Sequence, residues 1–123
     1  MSVAVVHADT PEGRVALRAA VREAADRNQP LVVLHPLDDP GEAEAVREQV
    51  TAVAGDNGWE LLSEVHEGDP VGTTVQLLER SGAERVVIGS RGRTATGKFL
   101  VERAVQRLIT ESSVPVLVIK PED

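Results

Sequence analysis

Short aliphatic runs alternate along the chain with longer stretches in which apolar positions recur every three or four residues. The runs are Val3-Ala4-Val5-Val6, Leu31-Val32-Val33-Leu34, Val86-Val87-Ile88 and Val114-Pro115-Val116-Leu117-Val118-Ile119. Each is too short for a helix and has no polar face, which fits a strand covered on both sides in a parallel sheet. Between Trp59 and His66 the pattern differs. There Trp59, Leu61, Ser63 and Val65 alternate with Glu60, Leu62, Glu64 and His66, as on a half-exposed edge strand. Four helical stripes lie between the runs: Leu17, Ala20, Val21 and Ala24; Ala43, Val46, Val50 and Val53; Val71, Val75 and Leu78; and Val101, Ala104, Val105 and Leu108. All follow the spacing of an amphipathic helix. The order β-α-β-α-β-α-β-α-β predicts one α/β domain over residues 1–123, a parallel sheet with helices on both faces and right-handed crossovers.

The helix starts form a weak repeat. Thr10-Pro11, Asp39-Pro40 and Asp69-Pro70 follow one another at steps of 29 and 30 residues. Thr or Asp can accept from the orphan amides of a first turn, and Pro is pre-organised for the first helical position. In the fourth unit this start is missing. The chain reads Gly89-Ser90-Arg91-Gly92-Arg93-Thr94-Ala95-Thr96-Gly97-Lys98 instead.

Composition narrows the chemistry. A 123-residue chain with 41% hydrophobic residues has enough apolar surface for a core. It has no cysteine, which excludes disulfides, thiolate zinc sites and Cys nucleophiles. Trp59 and Phe99 are its only aromatics and its net charge is −7, so a base-stacking or phosphate-tracking nucleic-acid surface is not expected. No apolar run approaches the ~20 residues of a membrane span. The Met1-Ser2-Val3-Ala4-Val5 start has no signal-peptide pattern, so a cytoplasmic location is expected.

Against that acidic background the segment from Arg85 to Val101 carries Arg85, Arg91, Arg93 and Lys98 and no acid. Glycines allow amides to approach a ligand closely, and a following helix adds unpaired N–H groups. Position, glycines and charge together predict a phosphate-binding loop. Gly92 to Phe99 also matches a P-loop up to its last place, where Phe99 stands instead of the magnesium-holding Ser or Thr. A small P-loop-like phosphotransfer enzyme is therefore the distant alternative.

These segments together resemble the universal stress protein family over nearly the whole chain. The resemblance rests on the turn after the first strand, Leu34-His35, Glu67-Gly68-Asp69-Pro70, Val87-Ile88-Gly89-Ser90-Arg91-Gly92-Arg93 and the closing Ser113-Val114-Pro115-Val116-Leu117-Val118-Ile119-Lys120. It implies an open five-stranded parallel sheet of order 3-2-1-4-5. It also implies ATP or another adenine nucleotide, with Mg, as ligand, seated by a Gly-x2-Gly-x9-Gly-Ser/Thr pattern. Gly89 and Gly92 match the first two glycines, but Glu102-Arg103 stands where ATP binders have Gly-Ser/Thr. The acid after the first strand, Asp9, is shifted by one place. The expected nucleotide set is Asp9, Gly89, Ser90, Arg91, Gly92, Arg93, Lys98 and Arg103, with weak binding because the Glu102 carboxylate opposes a phosphate. A member that has lost the nucleotide and works by protein contact stands as the alternative.

No catalytic residue is expected: Ser90, Thr94 and Thr96 have no motif linking them to a base, and Asp39 of the Asp38-Asp39 pair suits a helix cap. In the implied order, His7, His35 and His66 end adjacent strands, but no carboxylate sits at ligand spacing, and they are expected as strand-end histidines and not a metal site. The last strand has no helix after it, and the resemblance implies a homodimer through its edge, Val116, Leu117, Val118 and Ile119.

Overall fold

The computed structural model describes residues 1–92 and 101–120; the candidate residues Arg93, Thr94, Thr96, Lys98 and Phe99 lie outside them. Five parallel strands form one sheet: β1 (Val3–Val6), β2 (Leu31–Leu37), β3 (Trp59–Val65), β4 (Arg85–Gly89) and β5 (Val116–Ile119). Their order is β3-β2-β1-β4-β5, as expected. Four α-helices follow strands among the described residues: α1 (Pro11–Asp26), α2 (Ala43–Ala54), α3 (Pro70–Ser81) and α4 (Arg103–Glu111).

Alternation along the strands splits the core into two layers. Val3, Val5, Leu31, Val33 and Val87 face Ala16, Leu17 and Ala20 of α1 and Val46 and Val50 of α2. Ala4, Val32, Leu34 and Val86 face Leu77 and Leu78 of α3 and Leu108 of α4. Each fully buried Val or Leu contributes about 1.5–3 kcal/mol relative to exposure. β1 and its neighbours are thereby clamped from both sides, and only the loops at the strand ends are left to carry chemistry.

Three helix starts follow their local chemistry. Thr10 Oγ1 accepts from the Gly13 amide at 3.0 Å, Asp39 Oδ1 from Gly41 at 2.7 Å and Asp69 Oδ1 from Gly72 at 3.1 Å. The second start is a 3₁₀ turn at Pro40–Glu42 that leads into α2. The fourth differs from expectation. Val101 precedes α4 and Ala104 is exposed, so Val105 and Leu108 alone carry its buried stripe. On α3 the buried positions are Thr74, Leu77 and Leu78, with Val71 and Val75 half-buried.

β2 runs three residues beyond its apolar run and includes Pro36. A proline in an inner strand normally breaks a ladder. Here the pairing with β1 stops at Val6–Leu34, so Pro36 has only β3 beside it. β3 is the edge strand the alternation predicts. Leu61 and Leu62 pack into opposite layers, while Val65 at its far end is exposed.

Candidate functional site

Strand order reverses between β1 and β4, so the loops that leave their C-terminal ends diverge to opposite faces and open a crevice. Gly89 is the last residue of β4 on the way into it. A Cβ there would run into the Glu12 carbonyl and lie 3.3 Å from Ala16 Cβ, so the end of β4 packs directly on the first turns of α1. This glycine serves close packing between strand and helix. Pairing of Gly89 with Ile119 and the Ser90 amide's bond to the Ile119 carbonyl, 2.9 Å, fix the start of the loop.

Beyond Gly89 the loop points its donors at one group. Ser90 is fully buried, and its Oγ donates to Glu102 Oε1 at 2.5 Å. The Gly92 amide donates to the same oxygen at 3.0 Å, and the Arg91 amide reaches Glu102 Oε2 at a longer 3.4 Å. Partial burial pushes the Glu102 carboxyl up, but the bonds from Ser90, Gly92 and Arg91 outweigh it and hold the group below its usual range. Glu102 is thus a carboxylate held by loop donors. The expected opposition of its charge to a phosphate stands, and its carboxylate lies on the Ser90, Arg91 and Gly92 donors. Arg91 and Arg103 are exposed beside this contact.

Asp9, expected in the same set, stands on the β1–α1 side of the crevice. It is exposed and pairs with Arg14 Nη1 at 3.3 Å. With His7, Ala8, Gly13, Arg14, Leu17, Gln49, Ala52 and Val53 it lines a small, largely apolar cavity of about 180 Å³ between α1 and α2. A larger depression of about 510 Å³, lined by Met1, Pro30, Trp59 and Gly82 among others, lies at the opposite, N-terminal end of the strands. Ligands of open α/β sheets bind at the C-terminal end.

The histidines divide into two groups. His7 and His35 follow the last β1–β2 pair, Val6–Leu34, and point the same way, with Nδ1 atoms 3.0 Å apart and rings edge-to-face at 5.0 Å. His35 Nδ1 also lies 3.1 Å from the His7 carbonyl oxygen, which can only accept. His35 Nδ1 therefore carries the hydrogen and His7 Nδ1 accepts. Burial, reinforced by His35 and opposed by Asp9, lowers the His7 pKa from 6.5 to about 4. His66 belongs elsewhere. Its Nδ1 accepts from the Gly68 amide at 3.1 Å, and its Nε2 donates to Asp38 at 2.5 Å. Among the described residues no group of three or more His, Asp or Glu is placed to hold a metal ion.

Two of these features escape a reading of residues alone. The His7–His35 contact needs the strand register, and parity without register leaves them on the same or opposite faces. The Glu102 contact spans 10 to 12 residues of chain. Its one local sign is the missing Pro at the fourth helix start.

Comparison with known proteins adds the family. Residues 40–120 match the Universal stress protein family. A universal stress protein of Mycolicibacterium smegmatis is 32% identical over 128 residues, covering 97% of this chain and 97% of that protein. Universal stress protein MJ0531 of Methanocaldococcus jannaschii is 29% identical over 79 residues, 64% of this chain and 46% of that protein. Among solved structures, a universal stress protein from Archaeoglobus fulgidus superposes with a TM-score of 0.81 at 24% identity, covering 98% of both chains. A universal stress protein in complex with cAMP gives 0.79 at 22% identity, covering 99% of this chain and 98% of the other. These two structural likenesses establish the fold.

Proposed function

The chain belongs to the universal stress protein family, and from that premise we propose that it is a regulatory or protective stress-response binding protein that takes an adenine nucleotide weakly. The ligand would lie in the crevice between the β1 and β4 loops. The observation that carries the reading is the convergence of Ser90 Oγ and the Gly92 and Arg91 amides on one anionic group at the point where strand order reverses. A donor set that holds a carboxylate suits a phosphate oxygen, and Arg91 and Arg103 add positive charge at its rim. Solved relatives in complex with cAMP and with dAMP support an adenine nucleotide as the class to test. Mg would enter with a triphosphate, because no cluster of the chain's own described carboxylates is arranged for it.

Binding is weak in this reading because the phosphate donors already have a partner. Each charge-assisted hydrogen bond forgone costs roughly 1.5–3 kcal/mol. Two of them move a micromolar site toward a millimolar Kd. Calorimetry with ATP, AMP and cyclic AMP tests this: millimolar binding of at least one is expected, and no heat from any of the three up to tens of millimolar rules the nucleotide out.

A second reading, action by protein contact without nucleotide, is favoured by the same Glu102 contact together with the open edge of β5. A homodimer through Val116, Leu117, Val118 and Ile119 is part of both readings, as is a cytoplasmic location.

A further inference from the structure

We propose that Glu102 is a built-in competitor for the anion seat of the β4 loop: its carboxylate occupies the donors that a phosphate needs, and an incoming anion binds by displacing it. The identity of the displacing anion as a nucleotide phosphate rests on the function proposed above; the competition itself does not.

Glu102 stands at the N-cap of α4, yet its side chain makes no cap bond to its own helix. Thr10 and Asp69, at the same place on α1 and α3, both cap. The Glu102 side chain bonds instead to Ser90 and Gly92, just after β4. The donors it meets are unlike those of a surface salt bridge. Ser90 is fully buried and Gly92 is buried, so both would be left poorly hydrated without an acceptor. An unmet buried donor is costly, which explains why some acceptor must sit there. Two donors converge on Oε1 while the third lies at Oε2, as they would on two oxygens of a phosphate. The carboxylate is the anion at hand. Because it is tethered to the same chain, it competes at an effective concentration on the order of millimolar or above.

A mere staple between loop and helix would show the same contacts and would never leave. The distinguishing property is displacement. Inorganic pyrophosphate and ATP are titrated into the unaltered protein and into Glu102→Ala and Glu102→Gln, following heat and the Arg91 and Gly92 amide resonances. Glu102→Gln keeps the length of the side chain and removes its charge, so it serves if Glu102→Ala does not fold. Competition predicts at least a tenfold gain in pyrophosphate affinity for Glu102→Ala and a smaller gain for Glu102→Gln. It also predicts that the Gly92 amide moves on binding in all three proteins. Gains for pyrophosphate without any further gain for ATP uphold the competitor and remove the nucleotide reading. Tight ATP binding by the unaltered protein with the Gly92 amide unmoved does the opposite. Affinities equal in all three proteins, or a Gly92 amide that never responds, overturn the competitor and leave Glu102 as a staple.

Discussion

Arg107 on α4 grips Asp69, the cap of α3, through both carboxylate oxygens, with Nη1–Oδ1 at 2.8 Å and Nη2–Oδ2 at 3.3 Å. The same guanidinium holds Glu111 one turn on, Nε–Oε2 at 2.7 Å. A planar fork matched to a carboxylate is the geometry in which Arg and Lys are not equivalent. The contact ties together the two helices that cover the same face of the sheet, and it places the start of α4, next to Glu102, relative to α3.

The first prediction follows from that pair. The Arg107 bond, then the Gly72 amide, lower the Asp69 pKa from 3.8 against a smaller opposing effect of desolvation. A lowered carboxyl contributes stability that is present above its unfolded value and is lost as pH falls through its folded one. Arg107→Leu should return the Asp69 titration toward 3.8, lower stability slightly near neutrality, where the pair's contribution is present, and converge with the parent in acid, so that the acid limb flattens; the change is small because the pair is exposed. Carbon-detected titration of the Asp69 carboxyl checks it; an unchanged midpoint in the variant contradicts the assignment.

Much of this fold can be read from local pattern, because its causes are local. Thr10, Asp39 and Asp69 act within three residues of themselves, and Val3 to Val6 need no partner to declare a buried strand. What escapes depends on where another segment ends. Pro36 sits in β2 because β1 has stopped at Val6. His7 meets His35 because register carries both one step past the last pair. For the candidate site, Ser90 and Gly92 stand out as loop residues, whereas the destination of the Glu102 side chain is a tertiary contact. A charge count predicts repulsion there and has no means of showing occupancy.

The second prediction concerns His7. Its folded pKa of about 4 lies below the ordinary 6.5, so the folded protein favours the neutral ring. Between those values the unfolded chain binds a proton that the folded one refuses. The contribution is therefore intact above about 6.5, erodes as pH falls and is lost once pH has passed through about 4. The His7→Asn variant should show a shallower fall of melting temperature across that window. The His7 ring resonances should stay those of a neutral imidazole at pH 6, a value well above the folded pKa. A His7 midpoint near 6.5 would falsify the burial argument.

The third concerns Gly89. A methyl group there meets the Glu12 carbonyl, which is backbone and cannot turn aside. Overpacking of this kind costs typically about 1–3 kcal/mol. Gly89→Ala should lower the urea midpoint by a corresponding amount and shift the amide resonances of Glu12 and Gly13. If the variant is as stable as the parent, β4 and α1 are not in contact at that point.

The last concerns the open edge. Among the described residues β5 pairs with β4 alone in the sheet, which leaves its outer backbone donors and acceptors for a second copy to extend. All four residues of β5 are half-buried in the single chain. Val116 packs into the α3–α4 layer and Leu117 and Ile119 into the α1–α2 layer. By alternation Val118 shares the Val116 side of the sheet nearer the C-terminal end of the strand, and it is the position that tests the edge. Pro115 turns its carbonyl to the Val86 amide at 3.0 Å, so the donor it lacks is on the β4 side and not on the outer edge of Val116–Ile119. A homodimer through this edge would bury Val118, and a charge there would have to be desolvated without a partner, a cost of several kcal/mol. Val118→Lys should therefore convert dimer to monomer at tens of micromolar while leaving the far-ultraviolet circular dichroism unchanged. Sedimentation velocity of parent and variant decides it. A parent that runs as a monomer at that concentration removes the interface, and a variant that stays dimeric moves it away from Val118.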